Sequence, residues 1–155
     1  MIKMVVAMDK NRLIGKNGQL PWHNKEDLRH FRNTTINQTI LMGSKTFLNL
    51  PKKLLDRKIL VLTRNRDLVI EDENVKIVHD INDIINKYKD SNEVLYICGG
   101  AKIYEEFFPY ADELIISLIE GDYVGDAYFP SFEESFTLIE EIQNETFILR
   151  RYQKR

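Results

Sequence analysis

One carboxylate in an awkward place is the first residue with chemistry to offer. In "LPWHNKEDLRHF", Leu20 to Phe31, Asp27 stands where a helix is about to turn its apolar side inward. At 100° per residue it lies about 40° around the axis from Phe31, so it borders the apolar stripe instead of pointing to water. An acid in a first turn is ordinary helix chemistry, favoured by the macrodipole and, with Asn24, resembling a capping box. The other reading is a carboxylate in a partly apolar pocket, accepting hydrogen bonds from a flat, nitrogen-rich ligand. Desolvation would then raise its pKa and suit it to managing a proton. Position alone leaves both readings open.

Three further stretches offer polar groups at the ends of apolar runs. "YICGGAKIYEEF" (96–107) is a strand, Gly99-Gly100, then a helix. "LMGSKTF" (41–47) repeats the layout with Gly43, Ser44, Lys45 and Thr46, and "VLTRN" (61–65) ends on a hydroxyl and a cation. Helix starts carry unpaired N–H groups that suit phosphates, and ligands of open α/β sheets gather at the carboxyl ends of strands. Gly-Gly alone is a weak signal and is no GxGxxG fingerprint. Three such ends together suit an anionic dinucleotide. The connection from Asp9 to His23 is long for so small a chain. Its apolar Leu20 and Trp22 fit a lid over a pocket better than a solvated turn.

Strands alternating with helices must position these groups. Apolar runs at 2–8, 39–43, 58–63, 75–79, 93–98, 113–120, 136–142 and 146–152 read as strands. Near-continuous Val and Ile suits a sheet covered on both faces. Helices are expected at 24–36, opening on Asn24 as N-cap, at 44–50, opening on Ser44, at 80–88 and at 101–108. The fold class is therefore α/β: a single domain, 1–155, with a central, mixed, mostly parallel eight-stranded sheet and helices on both faces. Only "QNE" separates the last two strands, which implies an antiparallel C-terminal hairpin.

Composition bounds the function. The 155 residues are 43% hydrophobic and 30% charged, with net charge −2, an ordinary globular balance that gives no electrostatic case for a nucleic-acid binder. "RRYQKR" (150–155) reads as the solvated end of a last strand. A single cysteine, Cys98, rules out an internal disulfide and any all-thiolate zinc set. No run is long enough to cross a bilayer, and no signal peptide is evident, so a cytoplasmic protein without membrane partners is expected.

Taken in order, the long connection, Asp27, "MGSKTF", "DRKILVLT", "ICGGAKIYEEFFPYADEL" and "GDAYFP" make the chain resemble the dihydrofolate reductase family from Met1 to the C-terminus. The resemblance implies NADPH-dependent reduction of 7,8-dihydrofolate to tetrahydrofolate, with hydride passing to C6 and a proton to N5, by a monomer. Asp27 would be the sole ionisable group in the pterin pocket, holding the ring by its 2-amino and N3 positions, with water carrying the proton. Ser117 stands where the family usually has threonine and keeps the hydroxyl. Trp22 would hold a bound water and Leu20 would close the lid.

The same resemblance implies that Val5, Val6 and Ala7 end the first strand beneath the pterin, and that Leu28, Phe31, Leu50 and Leu54 line an apolar slot. Arg57 would grip the α-carboxylate of the glutamate tail; without the family it reads as a strand-flanking cation. Cys98 would present its backbone carbonyl to the pterin, and Gly99-Gly100 would be cis. Ala7, Ile14, Gly15, Lys16, Asn17, Gly18 and Gln19 would border the nicotinamide and its ribose. Gly43, Ser44, Lys45 and Thr46, then Leu62, Thr63, Arg64 and Asn65, then Gly99, Gly100, Ala101, Lys102, Ile103 and Tyr104 would hold the pyrophosphate and adenosine. Ser44 departs from the family pattern, where arginine commonly meets the 2′-phosphate; Lys45, Arg64 and Lys102 could compensate.

Two rivals stand beside this reading. A pyrimidine reductase of riboflavin synthesis shares the architecture and NADPH, but lacks the combination of "LPW", helix acid and tail-gripping arginine. A nucleotide-binding regulator without catalysis would need only the strand-end hydroxyls and cations.

Overall fold

The computed structural model describes all residues, Met1–Arg155. Period-two alternation decides how its layers form. In β1 (Ile2–Met8), Ile2, Met4, Val6 and Met8 enter the larger core cluster, while Val5 and Ala7 face the other way. The short β2 (Leu13–Gly15) follows, then α1 (Lys25–Thr35), β3 (Thr39–Gly43), α2 (Ser44–Leu48) and β4 (Lys58–Leu62). Next come β5 (Val75–Val78), α3 (Ile81–Tyr88), β6 (Leu95–Ile97), α4 (Ala101–Phe107) and a 3-10 turn at Phe108–Tyr110. The chain finishes with β7 (Glu113–Ile119), β8 (Ala127–Tyr128), β9 (Phe136–Gln143) and β10 (Phe147–Lys154).

The main sheet has eight strands in the order β5-β4-β3-β6-β1-β7-β10-β9. Pairing is parallel from β5 to β7 and antiparallel where β10 meets β7 and β9. This is the mixed, mostly parallel sheet with a C-terminal hairpin that the sequence implies. One face carries α3 and α4 through Ile84, Ile85, Tyr88, Tyr104 and Phe107. On the other, Ile40, Met42, Ile59 and Val61 form a second cluster, with Phe47, Leu50, Leu54, Tyr96 and Cys98 packed on it. Basic residues of the last strand are engaged: Arg150 meets Glu141 at 2.8 Å, and Arg151 meets Glu113 at 2.7 Å and Glu140 at 3.3 Å.

Two expectations need correction. The connection from Asp9 to His23 is not one continuous loop, because β2 pairs with β8 in a second, two-stranded sheet. Leu13 anchors it, 1% exposed. The second helix is capped by Gly43 and ends at Leu48, whereas Ser44 was expected at the cap and Leu50 at the end. Ser44 is its first residue, and no side chain caps it.

Candidate active site

Asp27 is placed by the start of α1. Asn24 is the N-cap in an extended conformation, and its Oδ1 accepts a hydrogen bond from the Asp27 N–H at 2.9 Å. That bond satisfies one orphan donor of the first turn. The neighbouring acid, Glu26, points elsewhere and accepts from Thr146 N at 2.8 Å and Thr146 Oγ1 at 2.7 Å, tying the β9–β10 turn to the helix. Asp27 is only 7% exposed. Burial pushes its carboxyl above the ordinary carboxylate range, opposed by the Ser117 hydroxyl and by His30.

The contrast along α1 is the informative feature. Its buried residues are Asp27 and Thr35, an acid and a threonine, while Leu28 is left 48% exposed. Leu20 is 49% exposed, and Phe31, Leu50 and Leu54 are half-buried. A packed helix ordinarily does the reverse. Apolar side chains left open around a sunken polar group are the mark of a slot for a largely apolar ligand with a few fixed polar contacts. Ala7 is the register partner of Ser117, and Val5 of Ile115, so Val5, Ala7 and Ser117 share one sheet face, the one from which the Ser117 hydroxyl reaches Asp27. Val6 does not. Its side chain lies in the core on the opposite face, and β1 continues to Met8 instead of ending at Ala7.

The burial of Asp27 has a stability consequence. A raised acid pKa means that the folded state holds its proton more tightly than the unfolded chain. The associated stability is fully present below the unfolded carboxylate pKa and lost as pH rises through the folded one. Asp27→Asn removes the buried charge, so that protein should be more stable than wild type at pH 7. The expected gain is on the order of 1 kcal/mol, or about 3 °C in melting temperature at this chain length. The gap should close below pH 4. A melting temperature for Asp27→Asn below wild type at pH 7 contradicts the inference.

Arg57 is 6% exposed and forms no ion pair. Its Nε donates to Leu55 O at 2.9 Å and its Nη1 to Thr35 Oγ1 at 3.2 Å. Burial, then the charge of Arg32, lowers its pKa. A sunken guanidinium whose Nη2 has no protein partner lacks an anion. Trp22 is comparable: its Nε1 is enclosed without a partner, and its ring lies 5.1 Å from that of Tyr123. Cys98 is inert by the same physics, because burial pushes its thiol up to about 12.

A second cleft of about 550 Å³ opens along the strand ends. Gly18, Gly43, Ser44, Lys45, Thr46, Leu62, Thr63, Arg64, Gly100, Ala101, Lys102 and Ile103 line it, all of them expected from the sequence. His79, Ile81 and Glu106 line it too and were not expected. His79 closes the "VKIVH" run (75–79), so the signal that singled out Thr63 was available there. Its Nδ1 lies 2.8 Å from Thr63 O. Gly43 and Gly100 cap α2 and α4 and line the cleft, and no side chain takes up the first-turn N–H groups there. A Cβ at Gly43 would meet Ile103 Cγ1 at 3.1 Å, and one at Gly100 would meet Thr46 Oγ1 at 3.2 Å. Helix-start donors, a close-approach glycine cradle and Lys45, Arg64 and Lys102 fit a phosphorylated dinucleotide.

The remaining expected residues divide. Gly99 and Gly100 are joined by a cis peptide, and Gly99 O accepts from Gly43 N at 2.9 Å. Tyr104 is buried, and its hydroxyl donates to Val5 O at 2.7 Å. Lys16, Asn17 and Gln19 lie exposed on the connection, where Lys16 bridges to Gln19 and Asn17 N donates to Asp126 at 3.3 Å. Gly15 and Ile14 are buried in β2. Asn65 is exposed, donates to Thr63 Oγ1 at 3.1 Å, and does not line the cleft.

Comparison with known proteins bears on the same chain. A family profile described as dihydrofolate reductase matches residues 1–152. A dihydrofolate reductase of Mycoplasma pneumoniae is 41% identical over 157 residues, covering 99% of this chain and 98% of that one. One from Bacillus subtilis is 39% identical over 135 residues, covering 87% and 79%. A solved structure of Enterococcus faecalis dihydrofolate reductase complexed with NADP(H) and RAB-propyl superposes with a TM-score of 0.86 at 28% identity. It covers all of this chain and 96% of its own.

Proposed function

The chain belongs to the dihydrofolate reductase family, the NADPH-dependent enzymes that reduce 7,8-dihydrofolate to tetrahydrofolate in one-carbon metabolism, and we propose that Asp27 is the group through which it handles the pterin. One observation carries this reading: an almost fully buried carboxylate, 7% exposed, on a helix that leaves the adjoining Leu28 48% exposed. Asp27 accepts hydrogen bonds from the substrate's 2-amino group and N3. The Ser117 hydroxyl steadies the carboxylate from β7. Bound NADPH supplies the hydride. The carboxylate, across the ring from N5, favours protonation there, and a water delivers the proton. Trp22 Nε1, a donor with no protein partner, is suited to hold that water.

Leu28, Phe31, Leu50 and Leu54 form the walls of the slot, with Val5 and Ala7 below and Leu20 closing above. Arg57 takes the α-carboxylate of the glutamate tail. The cleft residues Gly43 to Thr46, Leu62 to Arg64 and Gly100 to Ile103, with His79, hold the cofactor's phosphates and adenosine. Every group in this scheme comes from one chain, so a monomer would carry a complete site. No helix is long and apolar enough to cross a membrane, and the net charge of −2 gives no electrostatic support for a nucleic-acid partner.

The direct test follows absorbance at the NADPH band with and without dihydrofolate. Oxidation only on adding substrate is expected; nucleotide binding without oxidation would indicate a non-catalytic regulator. Ser44, in the cleft beside Lys45, predicts a second result. Ser44→Arg should bind NADPH about tenfold more tightly through a charge-assisted contact to the 2′-phosphate, with little change for NADH. Equal effects on both cofactors, measured by fluorescence titration, would place the 2′-phosphate elsewhere.

A further inference from the structure

His30 follows Asp27 by three residues on α1, so the two side chains are neighbours on one helix face, with Cβ atoms about 5–6 Å apart. Its ring lies against Phe147 of β10, centroids 5.7 Å apart. Its Nε2 is closed off from solvent and has no hydrogen-bond partner in the protein. Native proteins rarely leave a sealed polar atom unpaired. No step of the reaction as described uses it.

Few charges face this pair. Asp27 is the one that bears on His30. Asp27 in turn feels His30 and Glu26, and Glu26 is committed to Thr146. From β7 only the Ser117 hydroxyl reaches the carboxylate. From β10, Phe147 is apolar, and Arg151 is held by Glu113 and Glu140. Burial favours the neutral form of the His30 ring, the Asp27 charge working against it. A neutral imidazole carries one N–H donor, and its tautomer follows the better acceptor.

We propose that His30 is a positioning residue for Asp27: its Nε2–H donates to one enclosed water that in turn donates to the Asp27 carboxylate, and so holds it ionised and turned toward the substrate. This rests on the reading that Asp27 serves the pterin and deepens it. The two neighbours of the carboxylate then divide the work, Ser117 from the sheet and His30 from the helix. The competing role is space-filling, with the ring serving only as packing for Phe147.

The two roles predict opposite rescue patterns. His30→Phe keeps a ring against Phe147 and removes the donor. His30→Gln keeps a donor and cannot titrate. The Asp27 carboxyl, ¹³C-labelled and assigned with Asp27→Asn, is titrated by NMR in the ligand-free protein. A donor role predicts that His30→Gln titrates with wild type and His30→Phe about one pH unit higher, for the loss of a hydrogen bond to the charged form. A packing role predicts an unmoved Asp27 midpoint in His30→Phe, which overturns the proposal, as does His30→Gln following His30→Phe. Should a variant fail to fold, wild type alone decides: the His30 ring ¹⁵N shift must inflect at the Asp27 midpoint, and its absence overturns the proposal. Because no substrate is present, the outcome is independent of whether Asp27 takes part in turnover.

Discussion

Asp27→Asn is expected to fold, to bind both reactants, and to lose about a hundred- to a thousandfold in turnover at pH 7. The fold survives because the cap that positions residue 27 uses its backbone N–H and the Asn24 side chain, neither of which the substitution touches. Binding survives because an amide still offers an oxygen to the 2-amino group, although its NH₂ confronts a donor at N3. What is lost is the negative charge. In a site that excludes water, that charge acts at low effective dielectric on the proton balance of the bound ring. Burial already strains it upward, so Asp27 is held where folding alone would disfavour it. The same residue thus costs stability and supplies activity, and the Asparagine variant should separate the two in opposite directions.

Arg57→Leu is the second large effect. The KM for dihydrofolate should rise about a hundredfold with kcat changed little, because the tail carboxylate lies remote from the reacting atoms and contributes uniform binding. Stability should fall by no more than about 1 kcal/mol, since the substitution removes a buried cation that has no anionic partner in the protein. Thr35 Oγ1 keeps its bond to Phe31 O at 2.8 Å. A strand-flanking cation with a purely structural role predicts the reverse: a lower melting temperature and an unchanged KM. Thermal melts beside steady-state kinetics distinguish the two.

How much of this was legible in the chain depends on whether the cause is local. The cap at Asn24 and the apolar runs of β1, β3, β4 and β7 announce themselves because capping and strand burial act over a few residues. β2 and β8 do not. They are three and two residues long, and exist because Leu13 and Gly15 meet Tyr128 and Ala127 far away in the chain. Ser44 has the side chain of a cap, but the turn is made by Gly43, whose close approach to Ile103 is visible only in three dimensions. Val6 shows the limit of assigning three consecutive strand residues to one pocket, because alternation sends the middle one to the opposite face. The isolation of Arg57 and the sealed nitrogens of Trp22 and His30 are likewise absences of a partner, which no local pattern encodes.

The pH dependence of the hydride-transfer rate, measured in single turnover by loss of NADPH absorbance, puts the role of Asp27 to its hardest test. If the carboxylate's task is to favour a proton on N5, substrate already protonated in acid no longer needs it. Wild type and Asp27→Asn should then differ most at neutral pH and draw together as pH falls. Two curves that run parallel from neutral pH into acid, or an Asp27→Asn rate equal to wild type at pH 7, would contradict the account.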